Sequence, residues 1–277
     1  VTAKARKARL DAELVRRGLA RSREHAVSLI NAGRVSVRGM AARKPAMGVD
    51  RDTSIVVKND DDPGWASRGA YKLLGALDAF GVDVAGKRCL DAGASTGGFT
   101  DVLLRRGAKS VVAVDVGRGL LDWRLQTDER VTVLDKTNAR SLTADLVGGE
   151  VDLVVADLSF ISLRLVLPAL MACTRVGGDL LPMVKPQFEV GKDKVGSGGV
   201  VRDRGLRAEA VLGVLTVAAD LGLITQGVVA SPLPGPAGNV EYFAWLRHAG
   251  DKIAADDQDE RARMADLVRS AVEKGPA

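Results

Sequence analysis

Between Arg88 and Val184 short apolar runs alternate with amphipathic stretches, and that alternation restricts this chain more than any other feature. Arg88–Ala92, Ser110–Val114, Val131–Leu134, Val151–Ala156 and Gly178–Val184 read as strands, and Gly222–Ala230 and Tyr242–Arg247 follow as two more. Helical spacing fills Ala70–Phe80, Gly98–Arg106, Ser162–Thr174 and Gly205–Asp220. Strands without a polar face, each followed by a helix, belong to a parallel sheet covered on both sides. The expected fold class is α/β. Ligands of such sheets sit at the carboxyl ends of the strands, so the residues just past each strand matter most.

The first strand runs into "DAGASTGGF". A dinucleotide fingerprint needs a glycine where Ser95 stands, so that backbone can approach a pyrophosphate. What remains is an acid, Asp91, a tight turn at Gly93 and a helix opening at Gly97–Gly98. That suits a cofactor without phosphates, and an S-adenosylmethionine loop has this form. The second strand ends at Asp115, placed to accept from ribose hydroxyls. The fourth ends "VVADLSF" with Asp157, and the fifth "LPMVKPQF" with Lys185 and then Pro186, which fixes the backbone just beyond. Lys72 lies one turn into the helix "SRGAYKLLGALDAF", and Glu241 opens the last strand in "GPAGNVEYFAWLR". Any one of these four charges reads most simply as half of a surface ion pair. Yet all four stand at element boundaries, and none lies inside a polar run that would make it ordinary surface charge.

Charge separates a second region. Residues 1–58 hold 14 Lys/Arg against 5 Asp/Glu, a net of +9; with +5 overall, the remainder carries −4. A basic arm on a near-neutral body points to a polyanion, nucleic acid first. Leu10, Leu14 and Val15 have helical spacing up to Gly18. Ser22 caps a second helix with Ala26, Leu29 and Ile30 inward, ended at Gly33, and "RVSVRG" alternates as a strand that turns at Gly39. "KNDDDPGWAS" reads as a linker with Trp65 anchoring the chain on entry to the next domain.

Residues 8–50, with "RLD", "SREHAVSLINAGRVSVRG" and Pro45, resemble the S4-type (α-L) RNA-binding domain. Lys72, Asp157, Lys185 and Glu241 match in order the Lys-Asp-Lys-Glu tetrad of the FtsJ-like 2′-O-ribose methyltransferases. With "DAGASTGGFT", "VADLSFISL", "VKPQFEVG" and "PGPAGNVEYFAWL", the chain resembles the TlyA family over residues 8–247. That family is named for ribosomal-RNA cytidine 2′-O-methylation and, historically, as hemolysins. The resemblance implies a Rossmann-like class I methyltransferase with a seven-stranded, mostly parallel sheet (63–250), behind a small N-terminal α+β RNA-binding domain with its linker (1–62), and a charged tail (251–277). It implies S-adenosyl-L-methionine as cofactor, bound by Asp91, Gly93, Ala94, Ser95, Thr96, Gly97, Gly98, Phe99, Asp115, Val116, Asn138 and Asp157. Ribosomal RNA in the small or large subunit, or both, is the implied partner, contacted by Arg9, Arg16, Arg21, Arg23, Lys44 and Arg68. A monomer in the cytoplasm is expected.

Moving a methyl group from a sulfonium to a ribose hydroxyl demands alignment and loss of the hydroxyl proton. Lys185 is either the base or an ammonium that orients the hydroxyl, with Lys72, Asp157 and Glu241 positioning it. Base-methylating enzymes often carry an Asn/Asp-Pro-Pro-aromatic loop, whereas the fourth strand here ends "ADLSF". A non-enzymatic ribosome-assembly protein is the alternative from another class, and retention of the tetrad and the glycine loop argues against it. A membrane-active hemolysin needs an apolar span; the longest charge-free stretch, Leu221–Val240, is broken by three prolines and four glycines. Cys89 and Cys173 form no metal or disulfide pattern, so no metal is expected. His25 and His248 read as surface residues, Phe99 and Phe160 as packing near the cofactor loop, the run 191–203 as a substrate lid or else a connector, and the tail as a short solvated helix.

Overall fold

The computed structural model describes residues 7–20, 22–50, 53–58, 64–250 and 258–276. The chain divides into two compact units, Val1–Gly64 and Trp65–Ala277.

The first unit is built on two short helices, α1 (Leu10–Arg16) and α2 (Arg23–Asn31), with Ser22 capping α2 through the His25 amide. Its strands are β1 (Ala8–Arg9), β2 (Val35–Val37), β3 (Met40–Ala41), β4 (Gly48–Val49) and β5 (Ile55–Val57). β2 pairs antiparallel with β3 and β5, and β1 with β4. Leu10, Leu14, Ala26, Leu29, Ile30, Val35 and Val37 form its core. The expected linker residues 59–63 lie outside the described residues.

The second unit opens with α3 (Gly69–Phe80), then β6 (Arg88–Ala92), α4 (Gly98–Arg105), β7 (Ser110–Val114), the short α5 (Trp123–Gln126), β8 (Val131–Leu134) and β9 (Val151–Ala156). It continues through α6 (Leu167–Ala172), β10 (Thr174–Val184), α7 (Arg204–Asp220), β11 (Leu223–Ala230), β12 (Tyr242–His248) and α8 (Gln258–Lys274). The seven strands lie in the order β11-β12-β10-β9-β6-β7-β8. β12 runs antiparallel to both neighbours, and the other pairings are parallel. Strand periodicity sends neighbours to opposite faces. Leu90, Val112, Val154 and Leu180 enter one core with α6, α7 and α8, while Cys89, Val111, Leu153 and Leu181 enter the other with α3 and α4. The chain builds outward from β6 through β7 to β8, then returns to place β9 on the other side. The carboxyl ends of β6 and β9 therefore flank the switch point.

The tail is helical as expected over Gln258–Lys274 (α8), but it is 17 residues long and one face is buried rather than solvated. Met264, Val268, Ala271 and Val272 recur at helical spacing, are buried, and join the core beside α7 and β11. The charges of α8 face outward, which is why its composition looks like a tail. Residues 251–257 lie outside the described residues. Trp65 packs against the α3–α4 core with the Arg105 guanidinium 4.2 Å from its ring centroid. No helix among the described residues is long and apolar enough to cross a membrane.

Candidate functional site

The carboxyl ends of β6, β9 and β10, the first turns of α3 and α4, and the loop before β12 enclose an open cleft of about 640 Å³. Lys72, Asp157 and Lys185 line it, so three of the four expected charges meet there. The fourth, Glu241, is 1% exposed and reaches the cleft through Lys72, whose Nζ donates to Glu241 Oε2 at 2.5 Å. Lys185 Nζ lies 2.6 Å from Asp157 Oδ1 and donates to Ser159 Oγ at 2.8 Å. The four charges are thus two lysine–carboxylate pairs. Withdrawing such pairs from water costs several kcal/mol per ion before their attraction offsets it, so they are poor stabilisers. Two of them on one cleft make it the candidate site.

The strand ends explain why these side chains arrive together. β10 is buried along its apolar run and stops at Lys185, after which Pro186 starts a 3-10 turn. β9 delivers Asp157, whose amide bonds to Ala92 O at the end of β6. Gly93 follows with φ +87°, and a Cβ there would stand 2.6 Å from Asp157 O. Only glycine lets the two strand ends approach this closely.

Asp91 lies beneath the glycine loop, fully buried, accepting from Thr100 Oγ1 at 2.6 Å. Among the described residues its Oδ1 has no hydrogen-bond partner. Burial pushes its carboxyl up to about 7, with the neighbouring charge of Asp157 adding to the rise. Asp115 accepts from the amides of Ser95 and Gly117 at 2.8 and 2.7 Å and so holds the loop across the end of β7.

Of the expected cofactor residues, Gly93, Ala94, Ser95, Thr96, Gly98, Phe99 and Asp157 line the cleft. Asp91, Gly97, Asp115, Val116 and Asn138 do not. Gly97 packs under Leu121 and Leu125, Val116 is exposed, and the Asn138 side chain caps the turn Ala139–Ser141. Phe99 packs as expected, its ring 5.9 Å from that of Phe243. Phe160 does not pack near the cofactor loop. A positive φ of 63° turns it outward, 91% exposed, with its ring 5.3 Å from Phe188. His248 is half-buried, with Nδ1 2.9 Å from Thr174 O.

Arg68, expected to contact RNA, is exposed on the cleft rim. In the first unit Arg9, Arg16 and Arg23 are exposed but paired: Arg9 and Arg23 with Asp11, Arg16 with Glu13. Lys44 is exposed, and Arg21 lies outside the described residues.

Sequence reasoning missed Ser67, Ser159 and the wall Leu233–Pro236 with Gly238. The wall carries no ionisable group, and its Pro-Gly alternation signals only turns. Gly235 has a specific reason: a Cβ there would stand 2.5 Å from Glu241 Oε1. Run 191–203 contributes nothing to the cleft lining among the described residues. Its end is tied down by Asn239, which donates to Gly199 O and accepts from the Val201 amide. Among the described residues no cluster of His, Cys, Asp and Glu has an arrangement that holds a metal ion.

The model of the FtsJ-like methyltransferase family matches residues 65–248, and that of the S4 domain residues 8–55. The chain is 58% identical to the 16S/23S rRNA (cytidine-2′-O)-methyltransferase TlyA of Mycobacterium tuberculosis, over 98% of this chain and 100% of that one. It is 37% identical to hemolysin A of Brachyspira hyodysenteriae, over 85% of this chain and 98% of that one. Among solved structures, a protein described as a hemolysin from Streptococcus thermophilus superposes with a TM-score of 0.74 at 35% identity, covering 98% of both chains. The seven-stranded sheet, the strand-end cleft and these matches agree, and the chain belongs to the TlyA family of FtsJ-like methyltransferases with an S4 domain at the amino-terminal side.

Proposed function

We propose that this protein methylates the 2′-hydroxyl of a cytidine ribose in ribosomal RNA within ribosomal subunits, with S-adenosylmethionine as methyl donor. The observation that carries this reading is the convergence of the Lys72–Glu241 and Lys185–Asp157 pairs on a cleft floored by the Gly93 loop. Supporting it, relatives at 58% identity carry that activity in their name.

The residues fit the donor. Gly93 leaves the backbone bare where a side chain would collide, and Asp91 holds a buried oxygen beneath the loop that has no hydrogen-bond partner among the described residues. Gly93 through Phe99 would cradle the methionine part, and Asp115 the ribose side, with Val116 and Asn138 further along that edge. When bound, S-adenosylmethionine supplies an electrophilic methyl on a sulfonium, which an oxygen nucleophile must meet in line.

The chain's own groups prepare that oxygen. Lys185, paired with Asp157 and Ser159, presents an ammonium that donates to the 2′-oxygen and fixes its direction. To act as base it must first pass a proton from Nζ to Asp157 or water, after which the neutral nitrogen takes the hydroxyl proton. Glu241, which follows Lys185 in the register of the neighbouring strand, holds Lys72 and keeps that second charge in place. All of these groups come from residues 67–241 of one chain, so a monomer suffices. Cytoplasmic ribosomes are the corresponding location.

Mapping 2′-O-methyl groups on ribosomal RNA from a strain lacking this gene, against its parent, tests the proposal. Loss of a ribose methyl at a cytidine of the small subunit, the large subunit or both is expected. An unchanged methylation map would overturn it.

A further inference from the structure

Two carboxylates of α1 are almost wholly buried, Asp11 at 2% and Glu13 at 1% exposure, on a surface rich in arginine. Neither is neutralised one-to-one, because each grips two guanidinium groups. Glu13 accepts from Arg16 through Nε and Nη2, at 2.7 and 2.6 Å, and from Arg17 Nε at 2.7 Å. Arg17 then turns inward, donating to Thr53 O and Asp50 O, and serves as a strut.

Asp11 is arranged differently. Arg9, at the end of β1, donates to it through Nε at 3.1 Å and Nη2 at 2.9 Å. Arg23, twelve residues away on α2, donates through Nη2 to the same Oδ2 at 3.0 Å. The Ala12 amide completes the set at 2.8 Å on Oδ1. Both arginine side chains remain more than half exposed, at 53% and 59%, while the acid between them is shut away. The outward product is a fixed pair of guanidinium groups with a net charge of +1. These bonds hold the Asp11 carboxyl well below the usual carboxylate range, with the Arg9 hydrogen bond the first cause, so the acid stays charged at any working pH.

We infer that Asp11 is a positioning residue for RNA: it holds Arg9 and Arg23 as one preformed fork for the phosphate oxygens of a folded ribosomal RNA. The inference rests on the proposed function, because it takes ribosomal RNA as the partner. Arginine pairs bidentately with phosphate and carries large rotamer entropy when loose. Ordering both side chains in advance removes that cost from binding.

The charge arithmetic gives an unusual test. Asp11→Asn keeps the side-chain shape and raises the net charge by one. If Arg9 and Arg23 act only as diffuse positive charge, the variant binds RNA as tightly as the native chain or tighter, with an equal or steeper salt dependence. The fork predicts the reverse sign: affinity falls about tenfold, the cost of ordering two long side chains at the moment of binding. The slope of log affinity against log salt becomes shallower by about one to two phosphate contacts.

The probe is isolated ribosomal subunits from a strain lacking this gene, titrated with the full chain at several salt concentrations. Because Asp11→Asn also removes ion pairs, the same substitution is made on an Arg9→Gln/Arg23→Gln background. There the fork is already gone, and Asp11→Asn is expected to change affinity by less than about twofold. An equal loss on both backgrounds means that Asp11 only supports the fold and overturns the inference, as does unchanged or tighter binding by the single variant. Failure of the native chain to bind subunits at all sinks the proposed function instead.

Discussion

Lys72 on the first turn of α3 and Glu241 at the mouth of β12 touch at 2.5 Å although 169 residues separate them. The helix enters the domain and the strand nearly completes the sheet, so this pair closes the fold around the cleft. Glu241 is held in turn by the chain beneath it: its carbonyl accepts from the Ser231 amide at 2.7 Å, and Gly235 leaves room for its carboxylate. If Glu241 holds Lys72 in its working place, breaking the pair from either side has the same consequence. Lys72→Met and Glu241→Gln each lower methyl transfer by about 10²-fold or more, and the double variant costs little beyond either single one. Additive losses in a double-mutant cycle on the transfer rate contradict a paired role.

Gly235→Ala reaches the same pair without touching a charge. Its Cβ would crowd Glu241 Oε1, and the buried carboxylate has little room to retreat. A displacement on the order of 1 Å at a reacting centre costs about 10²-fold in rate. The expected result is a lowered turnover with cofactor affinity within about twofold of native by calorimetry.

Gly93→Ala acts on the other floor of the cleft. The φ of +87° and the clash with Asp157 O both oppose a side chain. Cofactor affinity is expected to fall at least about tenfold, and stability by about 1–3 kcal/mol, read by calorimetry and thermal unfolding. Native-like cofactor binding in this variant excludes the loop as the cradle.

Asp91 links the site to pH. Its folded carboxyl is raised to about 7 from an ordinary 3.8, so between those values the folded state binds the proton that the unfolded chain has released. Stability from this group is therefore full below about pH 4 and declines as pH rises through 7. At pH 8 the ionised, buried carboxylate costs on the order of 2–4 kcal/mol relative to pH 4. Asp91→Asn removes that slope. Denaturant unfolding at pH 5 and pH 8 is expected to show the variant gaining on the native chain at the higher pH. Parallel curves at both values contradict the assignment.

The sheet is legible in the order of residues because its central strands β6, β7 and β9 are buried on both faces, so each reads as an apolar run with turn residues beside it. The rim charges are legible for a related reason: Asp157 and Lys185 stand where an apolar run ends. Four features escape this logic. The inward stripe Met264–Val268–Ala271–Val272 of α8 is diluted by surface charge, so the sequence announces a helix there but not its burial. Ser159 and the Pro-Gly wall 233–238 bear no ionisable group, and nothing local tells a lining residue from a turn. Phe160 depends on a positive φ that a sequence of non-glycine residues does not announce. The pairing of Lys72 with Glu241 rather than with Asp157 is a property of the closed sheet and has no local signature.

The role proposed for Lys185, preparing a ribose hydroxyl, is tested most directly by supplying purified protein with ribosomal subunits and isotopically labelled S-adenosylmethionine, followed by nucleoside analysis of the RNA. Label is expected in 2′-O-methylcytidine alone, falling by about 10²–10⁴-fold in Lys185→Ala while that variant still binds the cofactor. Label on a base, or a Lys185→Ala protein that methylates ribose at the native rate, contradicts that role.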